Sequence, residues 1–316
     1  MHHLAQAIAA MPVCAEATRL FHGRGGRFPG EEHWTLDALP PALVLTSFQT
    51  VMDAQLAEVG ARLQARWDAL ATGAPLTWVF QSRAPDGQAD TRLMAGELPE
   101  PHTVQEAGAR YRLQLLRGQN HGLFLDMAEG RRWVREQCTA LAGREGGGAR
   151  VLNLFAYTCA FSVVALLGGA AQVVNIDMAR GALAVGQQNH RLNGLLGPGQ
   201  GSASFLAHDI FSTWGKLGRA GPYDLVIVDP PSYQKGSFIA TKDYPRLMRR
   251  LPDLLAPGGQ ALLCLNAPEL GPDFIDDAMR EQAPSLQRVG RLPNPPAFAD
   301  RDEARSLKVI VYRQPA

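Results

Sequence analysis

From about residue 150 onward, short and continuously apolar runs alternate with longer stretches whose apolar residues recur every three or four positions. Six of the runs predict strands: Arg150–Phe155, Gln172–Asp177, Ser204–Asp209, Tyr223–Asp229, Gly259–Asn266 and Leu307–Arg313. Runs such as Leu225-Val226-Ile227-Val228 lack the polar alternation of a half-solvated strand, so they predict strands covered on both faces, as in a parallel sheet. Met178–Leu192 and Tyr244–Leu255 read as helices between them, the second closed by Ala256-Pro257-Gly258-Gly259. This order predicts an α/β, Rossmann-like, doubly wound sheet, whose ligands lie at the carboxyl ends of its strands.

The first ~110 residues follow another pattern. Ala5–Leu20 reads as a helix, and so does Gln49–Leu70, where Met52, Leu56, Val59, Leu63 and Trp67 fall at three- and four-residue steps. Leu43–Ser47, Leu76–Gln81 and Tyr111–Arg117 read as short strands, and Gly96–Gly108 as a linker. The expected organisation is a smaller N-terminal α+β domain over 1–108, followed by the larger sheet domain over 109–316.

Composition narrows the picture only a little. Apolar residues make up 46% and charged residues 19% of the 316 positions, the balance of an ordinary globular chain. The longest apolar stretch, near Val163–Ala171, is far short of a membrane span, and the start Met1-His2-His3-Leu4 lacks a basic leader, which reads as cytoplasmic. Cys14, Cys138, Cys159 and Cys264 are isolated, so neither a zinc site nor a disulfide framework is expected. A net charge of +1 excludes a global polybasic field, and any nucleic-acid partner must be held by local clusters.

The candidate chemistry sits at successive strand ends. The first strand runs into Asn153-Leu154-Phe155-Ala156-Tyr157-Thr158-Cys159 without a GxGxxG, which argues against a dinucleotide pyrophosphate. S-adenosylmethionine carries no phosphate, and a shaped loop with backbone donors and acceptors suits it. Asp177 closes the second strand, where a carboxylate accepts ribose hydroxyls; capping the next helix is the plain alternative. Asp209, beside Ile210, closes the third strand, where a carboxylate can accept from an adenine amino group; it too has capping as its plain alternative. The fourth ends in Asp229-Pro230-Pro231-Ser232-Tyr233, where two prolines stiffen the backbone, fix its carbonyls as acceptors and set an aromatic ring beside them. A planar amino-bearing ring fits that arrangement.

These segments resemble the 23S rRNA (large subunit) base methyltransferases, within the class I S-adenosylmethionine-dependent superfamily. The resemblance covers about Arg117–Asn266. It rests on Asn120-His121-Gly122-Leu123-Phe124-Leu125-Asp126, the Asn153–Thr158 turn, Asn175-Ile176-Asp177-Met178, Gln188–Leu195 and Asp229–Tyr233. The segment Phe21–Gly30 is also similar to the small domain that precedes the catalytic one in such enzymes. The resemblance implies that Phe124 and Asp126 lie near the methionyl end of the cofactor and that Asn153 with Phe155–Cys159 surrounds it. It further implies that Asp177 faces the ribose, that Asp209 faces the adenine, and that Asp229 and Pro230 face the sulfonium, with Met178 and Ile210 as further cofactor contacts. Relatives carry glycine where Cys159 stands, a departure that brings in the alternative of an impaired enzyme.

The target atom follows from what stands after the fifth strand. Methylating a pyrimidine ring carbon needs a cysteine to add to the base first. In relatives that do this the cysteine follows the fifth strand, so the resemblance puts Asn266 in its place, with Cys264 about 7 Å deeper at ~3.3 Å per residue. A base nitrogen needs no covalent help, so the expectation is nitrogen methylation of RNA, guanine favoured and 23S rRNA the expected substrate, with Asp229, Pro230, Tyr233 and Asn266 at the reacting base. Arg24, Arg27, Lys235, Lys242, Arg246, Arg249 and Arg250 are candidate phosphate contacts, while His121 and His208 read as structural. Two alternatives stay open: a methyltransferase for a small molecule or a protein amide nitrogen, and a non-catalytic RNA-binding relative. No metal and no membrane partner are expected, and the sequence leaves the oligomeric state open.

Overall fold

The computed structural model describes the chain except residues 86–89, 144–146, 198–200, 232 and 235–237, and describes residues 233 and 234 by their backbone alone. It divides into two compact units, one comprising Met1–Leu125 with Pro295–Glu303 and the other Asp126–Asn294 with Ala304–Ala316. By packing, residues 109–125 and 295–303 therefore group with the first unit, whereas the sequence pattern put both in the second domain.

The first unit contains α1 (His2–Ala10), β1 (Thr18–His22), β2 (Trp34–Leu39), β3 (Ala42–Ser47), α2 (Asp53–Ala69), β4 (Thr77–Ser82), β5 (Asp90–Ala95), β6 (His102–Glu106) and β7 (Ala109–Leu113). The long first helix expected over Ala5–Leu20 is not what forms. Met11 is already extended (φ −60°, ψ 136°), because the residue before Pro12 is driven out of the helical region, and Thr18–His22 becomes a strand. Strands β1 to β5 form one sheet in chain order, with β3 and β4 parallel across α2 and the other neighbours antiparallel. Strands β6 and β7 pair as a separate hairpin.

Period-two alternation divides the faces of the five-stranded sheet. Trp34, Leu36, Leu45, Trp78 and Phe80 join Leu4 and Ile8 of α1 and Leu56, Val59 and Leu63 of α2 in one apolar core. The opposite positions of β2, β3 and β4 include polar residues that are still buried, Thr35, Asp37, Thr46 and Gln81. A buried carboxylate needs a partner. Asp37 has one in Arg19, whose Nε and Nη2 donate to it at 2.7 and 2.9 Å.

The second unit contains α3 (Ala128–Leu141), β8 (Arg150–Leu154), α4 (Ala160–Leu167), β9 (Gln172–Ile176), α5 (Arg180–Leu192), β10 (Ser202–Leu206), α6 (Trp214–Ala220) and β11 (Tyr223–Val228). It continues through β12 (Tyr233–Gln234), β13 (Phe238–Ile239), α7 (Ala240–Met248), α8 (Leu251–Leu254), β14 (Leu255–Leu265), α9 (Asp273–Gln282), β15 (Gln287–Arg291) and β16 (Lys308–Arg313). Seven strands form one sheet in the order β10-β9-β8-β11-β14-β16-β15. The first five of that order are parallel, and β16 runs antiparallel between β14 and β15. The order reverses between β8 and β11, which is where such a sheet opens a crevice at its carboxyl edge. All six expected strands are present, and so is the Rossmann-like fold. The helix expected over Tyr244–Leu255 instead starts at Ala240 and is broken before Leu251. Leu255 already belongs to β14, and Ala256–Gly259 is carried as an irregularity within that strand.

Candidate functional site

Parallel strands point their carboxyl ends to one edge of the sheet, so β8, β9, β10, β11 and β14 deliver their following residues to the same side. The loop after β8 is the most constrained of these. Phe155, Tyr157 and Cys159 all have left-handed backbones, at φ 56°, 46° and 60°. Each such residue costs of order 1–3 kcal/mol and persists only where its surroundings enforce it. The enforcement is visible residue by residue. The Ala156 amide donates to the Ile176 carbonyl at 3.0 Å and the Cys159 amide to the Ala156 carbonyl at 2.7 Å. The Tyr157 amide donates to Asp177 Oδ2 at 2.8 Å. The Thr158 carbonyl accepts from Asn189 Nδ2 of α5 at 3.0 Å, and the Phe155 ring meets Phe238 edge-on at 5.3 Å.

Cys159 is fully buried, and Gly186 of α5 makes room for it. A Cβ at residue 186 would stand 2.5 Å from Cys159 Sγ. The side chain that replaces the expected glycine is thus taken up between the loop and α5. Burial, and secondarily the charge of Asp177, holds the Cys159 thiol well above its ordinary pKa, so it is an inert packing group.

A buried polar chain lies beneath this loop. Asn153 donates to Asn175 Oδ1 at 2.9 Å, and Asn175 donates to Ser162 Oγ at 3.0 Å. Ser162 Oγ lies 2.9 Å from His190 Nε2, and His190 Nδ1 lies 2.7 Å from the Gly186 carbonyl. A carbonyl only accepts, so Nδ1 carries the proton and Nε2 receives the Ser162 hydroxyl. Burial lowers the His190 pKa, consistent with a neutral ring. The Asn153 side chain is therefore bound within the sheet. Asn175, Ser162, Asn189, His190 and Gly186, which had no role in the sequence reading, tie β8, β9, α4 and α5 together under the loop. Asn175 lies inside the Asn175–Met178 stretch, and Asn189 and His190 inside the Gln188–Leu195 stretch, that carried part of the resemblance, and those were the available signals.

The carboxylates at the strand ends differ in how they are held. Asp177 is half-buried, with Oδ2 on the Tyr157 amide and Oδ1 on the Ala179 amide at 2.7 Å, so it joins the loop to the start of α5. Met178 beside it is exposed. Asp209 caps the short turn Ile210–Ser212 through the Phe211 amide at 3.0 Å, as the capping alternative predicts, and the residue remains exposed. Ile210 is buried in the core of the second unit.

Asp229 follows β11. Burial first, and then the charge of Asp126 just ahead of α3, raise its pKa to about 7 against an opposing contribution from Arg131. Crowded carboxyls of this kind suit a cation better than another anion. Pro230 is buried. Tyr233 pairs with Ile239 through its backbone, while its side chain lies outside the described residues, as do Ser232 and Lys235. Phe238 of β13 is buried against Tyr244.

Asn266 is exposed just beyond β14, whereas Cys264 is buried within it. The Cys264 carbonyl accepts from the Tyr244 hydroxyl. Burial, with Asp229 and Asp126 secondary, pushes the Cys264 thiol well above its ordinary value. Phe124 is exposed and belongs to the first unit, as does His121, while Asp126 opens the second. His208 is exposed. Among the described residues no group of His, Cys, Asp and Glu could hold a metal ion, and no helix is long and apolar enough to cross a membrane.

The donor and acceptor set fits S-adenosylmethionine in kind. The edge offers carboxylates for hydroxyls, an amino group and a cationic centre, and its tight loop is not a phosphate cradle of glycines. Comparison with known proteins agrees. A family model described as S-adenosylmethionine-dependent methyltransferase matches residues 18–313. Ribosomal RNA large subunit methyltransferase I of Aeromonas salmonicida (strain A449) is 31% identical over 235 residues, covering 70% of this chain and 57% of that protein. Ribosomal RNA large subunit methyltransferase K/L of Psychrobacter sp. (strain PRwf-1) is 35% identical over 184 residues, covering 57% of this chain and 21% of that protein. The chain thus spans less than two thirds of the length of these relatives. A chain solved in complex with SAH superposes with a TM-score of 0.78 at 24% identity, covering 99% of this chain and 78% of that one. The SAM-dependent methyltransferase from Agrobacterium tumefaciens superposes with a TM-score of 0.63 at 20% identity, covering 90% of this chain and 87% of that one. At these identities the structural likeness concerns the fold.

Proposed function

The chain belongs to the S-adenosylmethionine-dependent methyltransferase family, and from that membership we propose that it methylates a base nitrogen of RNA, guanine favoured, with 23S rRNA as the substrate. The observation that carries the choice of atom is the end of β14. The exposed residue there is Asn266, and the nearest thiol, Cys264, is buried, high in pKa and backed by the Tyr244 hydroxyl on its own carbonyl. A ring carbon would need a thiolate at that edge. A nitrogen lone pair needs only orientation and removal of water.

When bound, S-adenosylmethionine supplies an electrophilic methyl group on a sulfonium. In this reading Asp177 accepts from the ribose hydroxyls, and Asp209, next to the buried Ile210, accepts from the adenine amino group. Phe155–Cys159 walls the methionyl portion with its fixed backbone, and Met178 lies beside the ribose. Asp126 and Asp229 face the cationic end, with Phe124 as a further contact. Asn153 acts indirectly, by holding Asn175 and through it the floor of the loop. The carbonyls of Asp229 and Pro230 orient the base amino group, Tyr233 stacks on the ring and Asn266 reads its edge. Asp229, ionised above about pH 7, also stands ready to take the proton that an amine nitrogen gives up once methylated.

The names of the relatives, ribosomal RNA large subunit methyltransferases, support RNA as the substrate class. The test is labelled methyl transfer to 23S rRNA, followed by digestion and mass spectrometry of the nucleosides. Methylated guanosine is expected. Methylation at a cytosine carbon that disappears in Cys264→Ser overturns the nitrogen assignment, and labelling of protein or small amines without RNA overturns the substrate class.

A further inference from the structure

The candidate phosphate contacts do not stand equally. Arg246 is engaged by Asp243 at 2.8 Å and lies over Phe211, and Arg249 donates twice to Gln282 at 2.9 and 2.7 Å. Arg24, in the first unit, is built differently. It sits in the short turn Gly23–Gly25 ahead of β2, and the backbone of that turn runs where no side chain fits. A Cβ at residue 23 would stand 2.0 Å from the Glu31 carbonyl oxygen, and one at residue 25 would stand 2.4 Å from that of Ala299. The Gly25 carbonyl also accepts from the Arg301 amide at 2.7 Å. The side chain of Arg24 therefore projects from a turn fixed on both sides.

Its guanidinium lies over the Phe48 ring, with Cζ 3.9 Å from the centroid, and Arg83 stands 6.0 Å from the same centroid. Arg83 is fixed in turn by Nε donating to Gln81 Oε1 at 2.8 Å and by its amide donating to the Ser47 carbonyl at 2.7 Å. Arg19 nearby is taken by Asp37. Among the described residues Arg24 makes no hydrogen bond or ion pair, although it carries five N–H donors. Partial desolvation, and next the charge of Arg19, lowers its pKa from the usual arginine value, while Asp300 acts the other way. His22 beside this group is neutral above about pH 4, held there mainly by burial. A stacked guanidinium with its donors unused and a second arginine alongside is pre-organised for the paired oxygens of a phosphodiester.

We propose that Arg24, laid on Phe48 and flanked by Arg83, is a phosphate-binding subsite through which the first unit holds an RNA backbone. The proposal rests on the RNA reading given above, and it assigns to the first unit a specific part in substrate binding.

Binding of the full chain to a mixed-sequence single-stranded oligoribonucleotide, followed by fluorescence anisotropy across a salt series, tests it. Arg24→Ala should weaken binding and lower the slope of log K against log salt by about 0.7, the share of one single-strand phosphate. Arg24→Lys, which keeps the charge without the flat stack, and Phe48→Leu, which removes the platform, should each fall between wild type and Arg24→Ala. Arg62→Ala, which removes one positive charge from the exposed surface of α2, should leave both affinity and slope unchanged. Equal binding by wild type and Arg24→Ala, with melting curves showing both folded, overturns this proposal and leaves the RNA reading standing. No binding of oligoribonucleotide or 23S rRNA by the wild type overturns the RNA reading and this subsite with it.

Discussion

The two sheets bury their strands by opposite means. In the second unit Val151, Leu152 and Leu154 of β8 and Leu225–Val228 of β11 are apolar on both faces, and the carboxylates are confined to the strand ends. In the first unit β2 and β3 are also buried throughout, yet one face carries Thr35, Asp37, Thr46 and Gln81 in mid-strand. Topology explains the second unit, because a parallel sheet flanked by helices creates its crevice at the carboxyl edge, and its buried mid-strand amides, Asn153 and Asn175, bond to one another. The first unit has no such edge. Its charges are set into a face and must be satisfied where they stand, as Arg19 satisfies Asp37. Arg24, which among the described residues makes no hydrogen bond or ion pair, is the arginine proposed above to hold a ligand.

This contrast can be broken experimentally. The largest effect is expected from Asp37→Asn, which leaves the Arg19 guanidinium without its counter-charge in a buried setting. Thermal or urea unfolding should report a loss of about 3 kcal/mol in the first unit, and a change below about 1 kcal/mol would mean that the pair is solvated after all. Gly186→Ala comes next, because its Cβ meets Cys159 Sγ; overpacking of this sort costs about 1–3 kcal/mol. Adding Cys159→Gly should recover much of that loss in a double-mutant cycle, and additive losses would remove the fitted relation between the two residues.

The third test concerns pH. Asp229 holds its proton up to about pH 7 in the fold, against 3.8 for an ordinary aspartate. The ionised form is thus the disfavoured one, and without ligand its contribution to stability declines as pH rises from the unfolded value through the folded one. A cationic ligand prefers the ionised carboxyl. The affinity for S-adenosylmethionine measured by calorimetry should therefore fall by up to about tenfold per unit as pH drops below 7, and Asp229→Asn should flatten that dependence. A profile unaffected by Asp229→Asn would assign the titration elsewhere. The smallest effect is expected from Arg62→Ala, which breaks an exposed i, i+4 pair with Glu58 on α2. It should change the unfolding free energy by no more than about 0.5 kcal/mol, and a larger change would show that the stability of the first unit resides on its outer surface as well as in its interior.

Much of the second unit was legible because its strands are long apolar runs whose ends are marked by Asp177, Asp209 and Asp229. The first unit was less so. Trp34–Leu39 alternates apolar and polar residues in a way that suggests a half-exposed strand, yet every residue of it is buried. Helix α1 ended earlier than its composition suggested because Pro12 acts on the residue before it. The resemblance implied that Asn153 surrounds the cofactor with Phe155–Cys159, and what the sequence did not show is that its side-chain amide is bound to Asn175. Asp209 showed the two readings to be compatible, since it caps a turn and still stays exposed.

By itself the sequence determined the alternation of strands and helices, the parallel sheet and the edge at which the polar residues gather. Each of these follows from local composition, because hydrophobic periodicity reports burial and topology then dictates where the strand ends meet. Only the tertiary structure decided that Gly186 gives Cys159 its space, that Asp126 acts on Asp229, that Asn175 and His190 hold the floor of the loop, and that Arg24 lies on Phe48. These relations join residues far apart in the chain through contacts of a few ångströms or through the field of a buried charge. No pattern along one strand or helix encodes a distance of that kind.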